Sequence, residues 1–430
     1  MKSWESDMRR YDSYKDSDVA WIGEIPEHWD TIKMKYLFSE RSEKGFPDEP
    51  ILCSTQKYGV IPQSMYENRV VVVNKGLEGL KLVEHGDFVI SLRSFQGGIE
   101  YAHYRGIISA AYTILKLVMA DKLNENYVRF LFKSIPFVGL LQTCVTGIRE
   151  GQNINYSILR KSEIPVPPLD EQQNIVEFLD EKTAKIDTYI QEKEKEICSL
   201  EELKQSEIAF AVTHGIKHDV SMKDNGIAWI GEIPEHWDTI KMKYLFSERS
   251  EKGFPDEPIL CSTQKYGVIP QSMYENRVVV VNKGLEGLKL VEHGDFVISL
   301  RSFQGGIEYA HYRGIISAAY TILKLVMADK LNEDYVRFLF KSIPFIGLLQ
   351  ICVTGIREGQ NINYSILRKS EIPVPPLDEQ QQIVEYIQQK TVQIDTYISD
   401  VKRLIDSLKE YRHRLICDAV TGRINVQPKF

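Results

Sequence analysis

"WIGEIPEHWDTIKMKYLFSERSEKGFPDEP" occupies Trp21–Pro50, and the same thirty residues recur at Trp229–Pro258. Displacing the chain by 208 positions aligns it with itself from about Lys15 to the C-terminus without insertion or deletion. Between Ala20 and Gln173 the copies differ only at Asn126/Asp334, Val138/Ile346 and Thr143/Ile351. From Asn174 to Ile216, 24 of 43 aligned positions differ. A near-frozen block followed by a drifting tail, stated twice, reads as a pseudo-dimer in one chain. Two copies of this size are not a solenoid.

The frozen block mixes strand and helix patterns. "RVVVV" (69–73), "DFVISL" (87–92) and "AYTILKLV" (111–118) are β-branched or alternating runs bounded by Gly or Asn. "NENYVRFLFKSI" (124–135) has helical spacing, and Pro136 is expected to stop it. The block therefore predicts an α+β domain with a sheet.

The tail reads differently. "IPVPP" is extended, because proline and the residue before it disfavour the helix. Asp170 is a suitable N-cap, with Gln173 placed as in a capping box. Ile186, Ile190, Lys193, Ile197 and Leu200 then follow a 4-3-4-3 rhythm, as do Ile394, Ile398, Val401, Ile405 and Leu408. That is a heptad seam. Forty-odd helical residues span roughly 60 Å at about 1.5 Å each. A helix of that length with one apolar stripe needs a partner, and the chain holds two. The predicted architecture is α+β: two near-identical heads separated by two long antiparallel coiled-coil helices, with a pseudo-twofold from the 208-residue tandem repeat. The expected division is an arm and first head over 1–169, a helical spacer over 170–216, a linker and second head over 217–377, and a second spacer over 378–430.

The chain has 430 residues and a net charge of −7. From Ala20 to Asp170 there are 17 basic and 17 acidic residues, whereas 171–217 holds 6 basic and 11 acidic. The acid collects in the helical tail, and any positive patch on a head must be spatial. No apolar run approaches the roughly 20 residues a bilayer demands. The polar start has no apolar signal core, so export is not expected. The six cysteines form no CxxC pair, which with the absent His cluster disfavours zinc and disulfides. A reducing cytoplasm is the expected location.

"WIGEIPEHWDTIKMKYL" (21–37), "GDFVISLRSFQGGIE" (86–100), "ISAAYTILKL" (108–117), "SEIPVPPLDEQQNIVEFLDEKTAKID" (162–187) and "EYRHRLICDAVTGRINV" (410–426) resemble the DNA-specificity subunit of Type I restriction–modification systems. The order head, helix, head, helix matches that family along essentially the whole chain. The resemblance implies that each head is a target-recognition domain reading one half of a split site on double-stranded DNA. It implies that the helices set the gap and dock two methyltransferase subunits. Those subunits would use S-adenosylmethionine, and restriction subunits would use ATP and Mg; no cofactor is expected in this chain, and no catalytic residue. In one respect the chain departs from the family, whose recognition domains usually differ while the helices agree. Identical readers about a twofold axis must read identical sequences on opposite strands, so the expected target is a gapped inverted repeat.

Base reading needs hydrogen-bond donors and acceptors, and phosphate anchoring needs positive charge. Three polar, glycine-flanked segments supply them. "STQKYG" offers Thr55, Gln56, Lys57 and Tyr58. "SLRSFQGG" offers Arg93, Ser94 and Gln96. "TGIREGQNIN" offers Arg149, Gln152 and Asn153. Their counterparts are Thr263, Gln264, Lys265, Tyr266, Arg301, Ser302, Gln304, Arg357, Gln360 and Asn361. Each is alternatively a solvated turn. "EIPEHW" (24–29) reads as structural rather than as a metal or acid pair. Cys53 and Cys144 read as buried thiols, and no phosphate loop or dinucleotide fingerprint occurs. Two other functions stay open: a catalytic pseudo-dimer active by itself, and a peptide-binding scaffold whose affinity would ignore salt.

Overall fold

The computed structural model describes residues 9–67, 76–147, 152–217, 219–274, 284–355 and 360–428. The expected strand at 69–73 and the candidates Arg149 and Arg357 lie outside them. The chain divides into two compact units, Met1–Lys193 with Arg403–Phe430, and Glu194–Lys402.

In the first unit, four antiparallel strands run in the order Phe38–Arg41, Thr113–Leu117, Phe88–Ile90 and Glu100–Tyr101. Alternation along them sends side chains to opposite faces. Phe88, Ile90 and Leu115 enter the main core, while Val89 and Ile114 enter a smaller cluster with Leu52, Val60 and Ala102. The sheet is thus buried on both sides, which is why "DFVI" and "TIL" are so rich in apolar residues. The smaller cluster seats a hairpin, Leu52–Thr55 paired with Gly59–Pro62, whose turn carries "QKY".

On the main face, Asn124 caps the helix Glu125–Leu131 by accepting from the Asn126 N–H at 2.8 Å. Pro136 does not end it: the helix stops at Leu131, before the proline is reached. A second helix, Ile135–Thr143, begins there, and proline is tolerated in a first turn because its missing N–H would be unpaired anyway. Phe132 and Phe137 stack across the break at 4.5 Å. The second unit repeats this arrangement: Phe246–Arg249, Thr321–Leu325, Phe296–Ile298 and Glu308–Tyr309 form its sheet.

The long helices are Leu169–His214 and Leu377–Val420, 46 and 44 residues. Each starts one residue earlier than expected, so Asp170 lies inside the first turn instead of capping it. There it faces the positive end of the helix dipole together with Glu171. Gln173 does not close a capping box; it bonds forward to Glu177 at 2.9 Å. Its neighbour Gln172 is fully buried. The Gln172 amide donates to the carbonyls of Lys122 (2.9 Å) and Pro167 (2.7 Å) and accepts from the Asn124 N–H at 2.7 Å. Gln380 does the same in the second unit with Lys330, Pro375 and Asn332.

Each unit contains the start of one long helix and the end of the other. In the first, Leu415, Ile416, Ala419 and Val420 join the core, and the buried Tyr127 hydroxyl donates to the Val420 carbonyl at 2.8 Å. In the second, Ala211 and Val212 join the core, with Tyr335 bonded to Val212 at 2.9 Å. Within the second unit, Tyr397 bonds Glu196, Asp395 pairs with Lys204 and Tyr386 bonds Glu207, numbers falling along one helix as they rise along the other. Ile394, Ile398, Val401 and Ile405 are buried at the predicted spacing, as is Ile190, while Lys193 is half-buried.

Candidate functional site

In the second head, "STQKYG" and "SLRSFQGG" come together on one open cleft of about 1390 Å³. The hairpin Leu260–Thr263/Gly267–Pro270 presents Gln264, Lys265 and Tyr266 at its turn. A Cβ built on Gly305 would stand 2.6 Å from the Gln264 amide nitrogen, so the two loops touch there and only glycine fits without displacement. Gly306, at φ +86°, lies against the Phe340 carbonyl, where a Cβ would stand 2.3 Å away. The paired glycines of "FQGG" therefore have separate reasons: one admits the neighbouring loop, the other needs a left-handed backbone.

Not every polar candidate is available to a ligand. Thr263 is buried; its hydroxyl donates to the Gly267 carbonyl and accepts from the Tyr266 N–H, both at 3.0 Å. Ser302 is buried and accepts from the Ser299 N–H at 2.9 Å. Thr55 and Ser94 make the same bonds in the first head. These four side chains hold their turns. Gln264, Lys265, Tyr266, Arg301 and Gln304 are exposed, as are Gln56, Lys57, Tyr58, Arg93 and Gln96. The Lys265 ammonium lies 4.7 Å from the centre of the Tyr266 ring. The cleft thus carries two cations, two carboxamides and an aromatic face.

Among the described residues, the third segment contributes nothing to this lining. Gln360 and Asn361 are exposed beside a two-residue ladder with Val353–Thr354, and Thr354 bonds Asn361 across it at 3.4 Å. Gln152 and Asn153 are likewise exposed, with Asn153 bonded to Thr146.

Several lining residues had no signal in the segments singled out. Tyr312, Tyr320, Met273 and Tyr274 form an aromatic and thioether wall, with Tyr312 and Met273 exposed. His311 is held below the usual imidazole range by burial, reinforced by Arg337 and His293. Glu308 is pushed above the carboxylate range by burial, with Lys341 opposing. Burial also raises the Tyr320 phenol. The recurring aromatics of "EYAHYRG" were the available clue, since rings clustered at the end of a short strand depart from ordinary alternation.

"EIPEHW" is structural. Trp29 is fully buried and donates to Glu171 at 3.0 Å; His28 bonds the same carboxylate at 2.5 Å, and Tyr11 at 3.0 Å. The first residues of the head thereby grip the first turn of the long helix. In the second unit His236 bonds Glu379 at 2.7 Å. Among the described residues no helix is long and apolar enough to cross a membrane.

Residues 26–198 and 234–398 match the family described as the Type I restriction modification DNA specificity domain. A putative type I restriction enzyme MjaX specificity subunit from Methanocaldococcus jannaschii is 23% identical over 94% of this chain and 96% of its own length. A structure from work on complex assembly and conformational transition of the type I R-M system superposes with a TM-score of 0.63 at 15% identity, covering 92% of this chain and 98% of the other. The HsdS subunit from Thermoanaerobacter tengcongensis gives 0.50 at 15% identity, over 93% and 98%. With two matching regions that together span most of its length, the chain belongs to the Type I restriction–modification DNA specificity family and carries that domain twice.

Proposed function

We propose that each head reads one half of a gapped double-stranded DNA site, and that the halves form an inverted repeat. The observation that carries this is the cleft: two loops 37 residues apart in sequence, from Gln264 to Arg301, meet at Gly305 and present Lys, Arg, Gln and Tyr side chains together. Arg301 and Gln304 supply the donors and acceptors that distinguish guanine and adenine edges. Lys265 supplies phosphate attraction, and Tyr266 a flat apolar face. Thr263 and Ser302 act through the loops they hold. The exposed Gln360 and Asn361 remain proposed contacts outside the cleft, with Arg357 beside them in sequence, and the same assignments apply to the first head. Because only three substitutions separate the two copies from Ala20 to Gln173, the same surface is offered twice.

In this proposal the long helices pair as an antiparallel coiled coil, set the gap and dock two methyltransferase subunits. The buried isoleucine–valine spacing supports the pairing. The chain itself is a non-catalytic cytoplasmic subunit. Adenine-N6 methylation with S-adenosylmethionine, and ATP- and Mg-dependent cleavage, belong to the methyltransferase and restriction subunits. The proposed division keeps an arm and first head at 1–169, a linker and second head at 217–377, and spacers at 170–216 and 378–430. The test is Arg93→Ala with Arg301→Ala in the assembled methyltransferase. Specific affinity should fall roughly 10- to 100-fold while non-specific binding changes little, and equal loss on all sequences would assign the arginines to phosphate alone.

A further inference from the structure

Behind the two loops, the short strand Glu308–Tyr309 sets Glu308 in the lining of the cleft, with one of its two carboxylate oxygens unpartnered among the described residues. Glu308 is 3% exposed and lines the cleft. Its Oε1 accepts from the Lys341 ammonium at 2.5 Å, and the same ammonium donates to the Gly305 carbonyl at 3.0 Å. Oε2 is buried and has no partner among the described residues. The first head repeats the arrangement: Glu100, also 3% exposed, accepts from Lys133, Lys133 donates to Gly97, and Glu100 Oε2 is unpartnered among the described residues.

A buried carboxylate oxygen left unmatched is costly and uncommon. The lysine explains how it is held. An ammonium only donates, so it fixes one oxygen and leaves the other as an acceptor. The lysine also ties that carboxylate to the loop bearing Arg301 and Gln304, because Gly305 is its second anchor.

We propose that Glu100 and Glu308 are specificity-determining residues, each accepting a hydrogen bond from the exocyclic amino group of one base in the half-site its head reads. This rests on the reading of the heads as DNA-binding domains. Cytosine N4 and adenine N6 present amino donors in the major groove, whereas guanine O6 and thymine O4 present acceptors that a carboxylate repels. The substitution Glu→Gln then has a directional consequence. The amide oxygen stays with the lysine, so the nitrogen takes the place of Oε2 and the atom facing the base changes from acceptor to donor.

The test uses the full chain assembled with its methyltransferase subunits on its own mapped site. In the duplex, each cytosine is replaced in turn by 2-pyrimidinone and each adenine by purine, deleting one amino group at a time. At one position per half-site the wild-type complex should lose roughly 10- to 100-fold in affinity. The E100Q/E308Q complex should lose less than about threefold there and should accept guanine or thymine at that position, the bases the donor would favour. If the glutamine variant does not fold, the four-residue variant E100M/K133M/E308M/K341M removes both partners in each head together, which is milder than orphaning one. It should be indifferent to the same deletion. The cytosine and adenine series separate the two possible bases. The proposal is overturned if no deletion matters in the wild type, or if the folded variants suffer the same loss. A wild-type complex with no sequence preference at all would instead overturn the reading of the heads.

Discussion

Replacing Gln380 by methionine keeps the side-chain volume and removes three hydrogen bonds at the start of the second long helix. The amide donates to Pro375 at 2.7 Å and Lys330 at 2.8 Å and accepts from the Asn332 N–H at 2.7 Å. The bond to Pro375 is buried, so its carbonyl would lose a partner without gaining water, at about 1–3 kcal/mol. The other two are partly buried and count at the net value of about 0.5–1.5 kcal/mol each. The expected loss is therefore about 2–6 kcal/mol, a large fraction of the roughly 5–15 kcal/mol that holds a domain folded. Gln172→Met removes the equivalent bonds in the other unit. The two glutamines share no partner, so their effects should add within about 0.5 kcal/mol. Urea unfolding of the full chain measures the sum, and hydrogen exchange at the Asn332 amide measures the local effect. A loss below about 0.5 kcal/mol with Asn332 still protected would refute the claim that this glutamine fastens helix to head.

Four further outcomes are expected. Gly305→Ala pushes its Cβ against a flexible Gln264 amide, so stability should change little while specific DNA affinity falls; a DNA-binding titration beside a thermal melt decides it. Lys57→Ala with Lys265→Ala should lower the steepness of log K against log salt by about 0.9 for each phosphate the lysines no longer neutralise, and an unchanged slope would remove them from the interface. Lys193→Val fills a half-buried position between the buried Ile190 and the half-buried Ile197 and should leave the melting temperature unchanged or raise it; a clear drop would refute the seam register. Burial raises Glu100 and Glu308 above 4.5, so the native chain binds their protons more tightly than the unfolded chain, and their contribution to stability falls as pH rises through that window. Urea midpoints at acid and neutral pH should therefore show E100Q/E308Q gaining on the wild type as pH rises.

The duplication and the long helices were legible because a near-verbatim repeat from Ala20 to Gln173 and a 4-3-4-3 rhythm need no tertiary information. The helix starts were legible only approximately. Pro168 leaves Leu169 free to open the helix, so the cap expected at Asp170 gave way to a carboxylate within the first turn. Gln172 escaped notice for a related reason: its partners, Lys122 and Asn124, lie about fifty residues back, and spacing cannot reveal them. The loops were found as polar residues beside glycines, yet the pattern did not separate Thr55 and Ser94, whose hydroxyls serve their own turns, from the exposed Gln56 and Arg93. The Glu100–Lys133 pair was invisible, since 33 residues separate partners that the sheet and helix bring together.

Two near-identical heads should read identical half-sites. The measurement that decides this is a map of N6-methyladenine across the genome of cells expressing this chain with its methyltransferase partner. The expected result is a split motif whose halves are reverse complements of each other. A split motif with unequal halves, or a stable complex that methylates no defined sequence, would contradict it.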